Sequence, residues 1–229
     1  MSTPPIEPPR GASRPVDTVV FDLGGVLIDW DPRHLYRLLM PEDEVDAFLD
    51  EIGFAAWNHA QDAGRSWADA VVAHAALHPH RRELIEAYPK RFVDTLGGAI
   101  TGTVAILEEL HAAGIRLLAL SNWSAETFQL ARRTYAFLDL FDGIVVSGEE
   151  QVTKPDPRIF AILLERHQLA AANTVFIDDA PANIAAARTA GLVTIHYESP
   201  GRLREQLVRV GLLPLTSPAL RPPPEAEPS

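Results

Sequence analysis

Phe21-Asp22-Leu23-Gly24-Gly25-Val26-Leu27 says more about this chain than any other stretch. The apolar run Val19-Val20-Phe21 stops at an acid, and a glycine pair follows almost at once. Such a run reads as a buried parallel strand. Asp22 then falls at its carboxyl end, where open α/β sheets bind their ligands. Glycines there let a ligand approach the backbone and leave N–H groups free to face an anion. A carboxylate so placed serves as nucleophile or metal ligand. Two residues on, where a second acid would be most useful, the chain has Gly24.

Outward from this stretch, short apolar runs alternate with helical patterns. Strands are expected at Thr18–Asp22, Arg116–Ser121, Gly143–Val146, Thr174–Asp178 and Val193–Tyr197, with helices at Thr103–Ala113, Ala125–Thr134, Pro157–His167 and Ala182–Ala190. That alternation predicts an α/β fold, a parallel sheet with helices on both faces. One interval breaks the rhythm. From about Asp31 to Gly98 no convincing strand is present, and helices are expected at Pro32–Met40, Glu42–Glu51, Ser66–Leu77 and Arg82–Thr95. This is too long for a crossover and reads as a helical insert over the carboxyl edge of the sheet. The expected organisation is a core of residues 16–30 and 99–213, an inserted helical lid of 31–98, and proline-rich disordered tails at 1–15 and 214–229.

Composition narrows the function classes. At 229 residues the chain suits one substantial α/β domain with a modest insert. It has no cysteine, so disulfides, thiolate metal sites and cysteine nucleophiles are excluded. Met1 to Pro15 lacks the apolar core of a signal peptide, and no run approaches membrane-spanning length, so a soluble cytoplasmic protein is expected. A net charge of −11 argues against nucleic-acid binding, which needs basic surface. It leaves room for a small anionic substrate, because one lysine and a few N–H groups can hold a phosphate.

Three further strand ends carry chemistry. Leu118-Ala119-Leu120-Ser121-Asn122 closes one strand with a hydroxyl and an amide, and Thr153-Lys154-Pro155-Asp156-Pro157 puts a lysine ahead of a helix. Phe176-Ile177-Asp178-Asp179 ends another strand with paired carboxylates, and Asn183 follows in the next helix's first turn. A parallel sheet gathers these ends into one crevice. The chemistry implied is phosphoryl transfer through a covalent aspartyl intermediate on Asp22. Mg²⁺ held by Asp22 and Asp179 would offset the repulsion between carboxylate and phosphate. Ser121, Lys154 and backbone N–H groups would hold the phosphate oxygens.

With Asp22, Ser121, Lys154 and Asp178-Asp179 in this order, the sequence resembles the haloacid dehalogenase superfamily over roughly residues 18–197. The resemblance implies a Rossmann-like core, a helical C1-type cap, and a Mg²⁺-dependent phosphatase acting on a small phosphorylated metabolite. The Asp22-Leu23-Gly24-Gly25 form is similar to the bacterial sugar-phosphate branch, including α-D-glucose-1-phosphate phosphatases. The Asp-Asp-Ala-Pro-Ala-Asn stretch resembles the phosphatase domain of soluble epoxide hydrolases. By resemblance the metal ligands are Asp22, the Gly24 carbonyl and Asp179, with Asp178 as a further ligand or its partner. Ser121, Asn122 and Lys154 would bind substrate. The departure is Gly24, where the family pattern has the aspartate that protonates the leaving group. A sugar 1-phosphate, leaving as a more acidic hydroxyl, fits that gap. Alternatives are a 2-haloacid dehalogenase, disfavoured by the paired acids, and a catalytically degenerate binding module.

Other signals read more plainly. Asn122-Trp123-Ser124 is formally a glycosylation sequon inside the expected site. His78-Pro79-His80 reads as a helix boundary, and Asp29 and Asp31 as loop and helix-cap residues. Arg81-Arg82 and Lys90-Arg91 read as a solvated helix face paired with Glu83 and Glu86. In Trp57-Asn58-His59-Ala60-Gln61-Asp62-Ala63-Gly64-Arg65, two readings stand side by side. It is either a helix–turn–helix corner or a loop whose His59, Asp62 or Arg65 reads substrate hydroxyls.

Overall fold

The computed structural model describes residues 16–215. The tail expected at 1–15 lies outside them, as does that at 214–229 apart from Pro214 and Leu215. Five strands form one parallel sheet: β1 (Thr18–Phe21), β4 (Arg116–Ser121), β5 (Gly143–Val146), β6 (Thr174–Asp178) and β7 (Val193–His196). Their order is β5-β4-β1-β6-β7. The chain builds outward from β1 on one side and then returns to its other side. β1 is therefore the switch point, where the loops after β1 and its neighbours diverge and open a crevice.

Side chains alternate across the sheet as a doubly covered strand requires. Val19 and Phe21 face one apolar layer with Leu117, Ala119, Val175 and Ile177, backed by α6 (Thr101–Ala112), α7 (Ala125–Thr134) and α11 (Pro200–Arg209). Val20, Leu118, Leu120 and Phe176 face the other, backed by α9 (Pro157–Arg166) and α10 (Pro181–Thr189). All four β1 residues are buried. The remaining core helix, α8 (Ser147–Glu150), follows β5 directly.

Between β1 and β4 lies the helical segment: α1 (Pro32–Tyr36), α2 (Glu42–Glu51), α3 (Phe54–Asp62), α4 (Trp67–Leu77) and α5 (Arg82–Lys90), then a 3₁₀ turn at Phe92–Thr95. Two expectations change here. The interval does end in a strand, because β3 (Leu96–Ala99) pairs antiparallel with β2 (Ile28–Trp30), just ahead of the interval, as a ribbon where the chain leaves and re-enters the core. With two glycines in four residues, β3 has almost no strand signature in sequence. The helices expected at Pro32–Met40 and Arg82–Thr95 are also shorter, the latter giving way after Lys90. α3, α8 and α11 are absent from the expected helices.

The segment has its own aromatic core. The Tyr88 ring lies within 5.0–6.3 Å of Tyr36, Phe54, Trp57, Trp67 and Phe92. Phe92 then meets Trp123 at 5.9 Å, carrying ring contact across to the loop two residues beyond the β4 carboxyl end. Among the described residues no helix is long and apolar enough to cross a membrane. Tyr88→Ala should destabilise the protein by about 3–5 kcal/mol, since the fully buried ring leaves a cavity among five others. Urea unfolding measures this, and a loss below about 1 kcal/mol would contradict a cohesive role for the cluster.

Candidate active site

The β1 ladder runs one residue past the strand, with the Asp22 N–H donating to the Ile177 carbonyl at 2.8 Å. The chain then folds tightly on itself: the Leu27 and Ile28 N–H groups both return to the Leu23 carbonyl. Leu23, Val26, Leu27 and Ile28 are fully buried, which anchors the turn from below. Above it the Asp22 carboxylate is fixed by the Leu23 N–H on Oδ1, at 2.7 Å. Gly25 adopts φ +74°, a region that glycine alone enters cheaply. A Cβ there would stand 2.5 Å from Asp179 Oδ2, so the missing side chain lets the β6 acid lie against the β1 loop.

Lys154 is buried and reaches in from the loop before α9. Its ammonium meets Asp22 Oδ2 at 2.9 Å, Asp178 Oδ2 at 2.7 Å and the Leu120 carbonyl at 2.9 Å. Those three partners use all three ammonium protons. Asp178 is equally engaged, accepting from the Ala180 N–H at 2.8 Å and from the Asn183 amide at 2.9 and 3.1 Å. The Asn122 side chain clamps the Lys154 backbone from both sides, accepting from its N–H at 2.8 Å and donating to its carbonyl at 2.9 Å. Burial alone would push the Lys154 ammonium down, but the two carboxylates overcome this and hold it above the ordinary lysine value. Burial, assisted by the charges of Asp178 and Asp179, raises the Asp22 carboxyl against the pull of Lys154. Asp179 is raised as well, by burial first and by Asp178 second.

Asp22, Asp178 and Asp179 each bring one carboxylate oxygen within 4.8 Å of the others. Three carboxylates beside one ammonium leave two negative charges uncompensated. Hard oxygen donors at that spacing fit a divalent cation of the Mg²⁺ class. Each Asp22 oxygen takes one partner, Leu23 or Lys154, whereas each Asp178 oxygen takes two, so Asp178 has the least left to offer a cation.

Beside the carboxylates lies a cavity of about 330 Å³ lined by Asp22, Gly24, Gly25, Trp30, Asp62, Ser121, Asn122 and Asp179. A smaller pocket of about 60 Å³ shares Gly24, Trp30, Asp62 and Asn122 and adds Asn58, Phe92, Trp123 and Thr127. In this pocket Trp123 Nε1 and Thr127 Oγ1 are buried with no hydrogen-bond partner among the described residues. Buried polar atoms are seldom left unpaired, and such atoms await a ligand or water. α3 crosses the mouth. Phe54, Trp57 and Gln61 form its buried face, while Asn58 and Asp62 turn toward the cavity. Ser147 Oγ fixes the helix end by donating to the Asp62 carbonyl at 2.6 Å, and Trp67 Nε1 donates to Ser124 Oγ at 3.0 Å.

The structure thus brings Asp22, Gly24, Ser121, Asn122, Asp179, Lys154 and Asp178 into one cluster. The Trp57–Arg65 stretch is the end of α3 and the turn that leads into α4, a helix–turn–helix corner, and it brings Asp62 to the cavity wall. His59 lies on the exposed side, 3.4 Å from Thr153 Oγ1. Asp31 caps α1 by accepting from the Arg33 N–H, and Asp29 meets His34 at 3.1 Å. Lys90 pairs with Glu86 as expected, whereas Arg81 turns instead to Glu51. Asn183 orients Asp178. Trp30, Phe92, Trp123 and Thr127 were not anticipated as lining residues. Only the adjacency of Trp123 to Asn122 offered a signal.

A model of the haloacid dehalogenase-like hydrolases matches residues 16–191. Hexitol phosphatase A of Escherichia coli is 28% identical over 192 residues, spanning 79% of this chain and 82% of that protein. The sesquiterpene phosphatase astK of Aspergillus oryzae is 35% identical over 92 residues, and the match covers 40% of this chain and only 47% of that protein. Among solved structures, a haloacid dehalogenase family enzyme from Bacteroides thetaiotaomicron, in complex with magnesium and inorganic phosphate, superposes with a TM-score of 0.62 at 22% identity. That superposition covers 80% of this chain and 95% of the other.

Gly25→Ala should displace Asp179, and if the acid cluster holds Mg²⁺ its affinity should fall about tenfold or more, as disturbing a ligand's support does elsewhere. Titration calorimetry on the folded variant reads this, and unchanged affinity would remove Asp179 from the cation site. A second expectation concerns Asp62, whose carboxyl burial raises from 3.8 to about 7. Between those values the unfolded chain is ionised there while the folded protein keeps its proton. Folding therefore binds a proton, and stability falls as pH climbs from about 4 to about 7. Asp62→Asn should gain stability relative to wild type across that window. A difference that stays constant with pH would contradict the burial.

Proposed function

The chain belongs to the haloacid dehalogenase-like hydrolase family, and from that premise we propose that it is a Mg²⁺-dependent phosphatase. Its substrate is a small phosphorylated metabolite bearing further hydroxyls, such as a sugar phosphate. The observation that carries this reading is Asp22 at the end of the central strand, oriented by Leu23 and paired with Lys154 beside two further acids.

In the first half-reaction an Asp22 oxygen attacks phosphorus, the bond from phosphorus to the substrate oxygen breaks, and an aspartyl phosphate forms. Ser121 and Lys154 hold the phosphoryl oxygens, the ammonium turning to the phosphoryl group the proton it shares with Asp22 as that carboxylate attacks, and its fixed charge stabilises the charge that accumulates in transfer. Asn122 serves this step by seating Lys154, and Asn183 by fixing Asp178. Asp22, the Gly24 carbonyl and Asp179, backed by Asp178, would hold Mg²⁺, which supplies the positive charge that lets a carboxylate meet a phosphate dianion. Water then attacks phosphorus and releases inorganic phosphate, regenerating the Asp22 carboxylate.

The helices of residues 31–98 act as a cap whose α3 shields the reacting atoms from bulk water. The unpaired Trp123 Nε1 and Thr127 Oγ1 support a hydroxylated leaving group, as does the likeness to a hexitol phosphatase. Attack at carbon on a haloacid would need no cation, so the acid cluster favours phosphorus over carbon.

Phosphate release from a panel of sugar, polyol and aryl phosphates tests the reading. Activity should require Mg²⁺ and vanish with chelator, and Asp22→Asn should lower kcat by about 10³-fold or more. Turnover that persists in Asp22→Asn would remove the nucleophile assignment.

A further inference from the structure

Gly24 leaves the reaction without an acid on its own loop. The space before it is open, the nearest atom to a Cβ built there being the Trp30 Cβ at 3.9 Å. Three carboxyl groups line the adjoining cavity: Asp22, Asp179 and Asp62. Under the proposed function the first is the nucleophile and the second belongs to the cation. Asp62 alone has no assigned task.

Resting on that reading, we propose that Asp62, at the end of α3, is the proton donor and acceptor of the reaction, replacing the acid absent at position 24. Four features of its setting carry this. It lines both the cavity beside Asp22 and the smaller pocket, and Gly24 lines both as well, so a leaving oxygen in front of Gly24 lies in the space that Asp62 faces. Its Oδ2 accepts from Asn58 Nδ2 at 3.0 Å, and Asn58 in turn accepts from the Tyr88 hydroxyl at 3.2 Å, so a relay into the aromatic core fixes the side chain. The backbone of its own residue is tied to the core by Ser147. Burial raises its carboxyl to about 7, so near neutral pH it can both give and take a proton.

The protons balance over the cycle. As Asp22 bonds to phosphorus and the P–O bond to the substrate breaks, the departing oxygen takes the Asp62 proton and leaves as an alcohol. Water then bonds to phosphorus and the bond to the Asp22 oxygen breaks. Asp62, now a carboxylate, accepts the proton that water sheds. Both groups return to their starting states.

A donor of this kind matters in proportion to the basicity of the leaving oxygen. The test compares kcat/KM, which reports the steps up to formation of the phosphoenzyme, for glucitol 6-phosphate and 4-nitrophenyl phosphate with Mg²⁺ present. Asp62→Asn should lose about 10²–10⁴-fold on the alcohol phosphate and less than about fivefold on the aryl phosphate, whose phenolate leaves unprotonated. A merely structural role would depress both alike. Equal losses, no loss on either, or a wild type that cleaves only the aryl ester would each overturn the proposal and leave the phosphatase reading standing. A wild type inactive on every phosphate in the panel would instead remove the phosphatase reading. If circular dichroism shows Asp62→Asn unfolded, Asp62→Ala is measured against the same two outcomes.

Discussion

The rest of the site is arranged around one buried ammonium. Lys154 Nζ joins the carboxyl ends of three strands: Asp22 after β1, Leu120 within β4 and Asp178 at the end of β6. A lysine so completely enclosed is costly unless its charge is paired and every proton has an acceptor. Here both conditions are met, and meeting them fixes the relative positions of three loops. Removing the ammonium would leave Asp178, itself fully buried, with an unpaired charge. The same contact that holds the sheet ends together therefore also sets the position of the nucleophile.

Around that centre the charges are deliberately uneven. One lysine cannot neutralise Asp22, Asp178 and Asp179 together, and the surplus negative charge makes the cluster receptive to a divalent cation. Asp178 and Asp179 are adjacent in sequence but differ in surroundings. Asp178 sits inside the hydrogen-bond net of Lys154, Asn183 and Ala180, and Asp179 faces the cavity above Gly25. Adjacent strand residues point to opposite sides of the backbone, so a pair of acids at a strand end can divide into one that positions and one that faces the crevice.

Much of this was legible in sequence because it is written locally. Apolar runs that end in a polar side chain, an acid after β1 and β6 and a serine at β4, fix both the sheet and the gathering of Asp22, Ser121 and Asp178-Asp179 at one edge, with Lys154 on the loop before a helix. The Asp22 loop needs its glycines for reasons that backbone geometry supplies directly. What was hidden depends on distant partners. Leu96-Gly97-Gly98-Ala99 has no strand character of its own and becomes β3 only because Ile28–Trp30 lies beside it. The pocket made by Trp30, Phe92, Trp123 and Thr127 joins residues from four separate elements or loops, and no periodicity connects them.

Asp62 shows how a three-dimensional neighbour alters the meaning of a local absence. Taken alone, Gly24 is a missing acid that restricts the reaction to leaving groups acidic enough to depart unaided, the gap that a sugar 1-phosphate fits. With an acid entering from α3 that restriction lifts, and ordinary alcohol phosphates become accessible. The proton donor then sits on the helical segment and the nucleophile on the core. A site divided in this way is complete only while α3 stays against the strand ends, held by Ser147 on Asp62 and, through the start of α4, by Trp67 on Ser124. Displacing α3 would separate the donor from the nucleophile and admit water at the same moment. Protonation of the leaving group is thereby coupled to closure, which an acid on the Asp22 loop itself would not require.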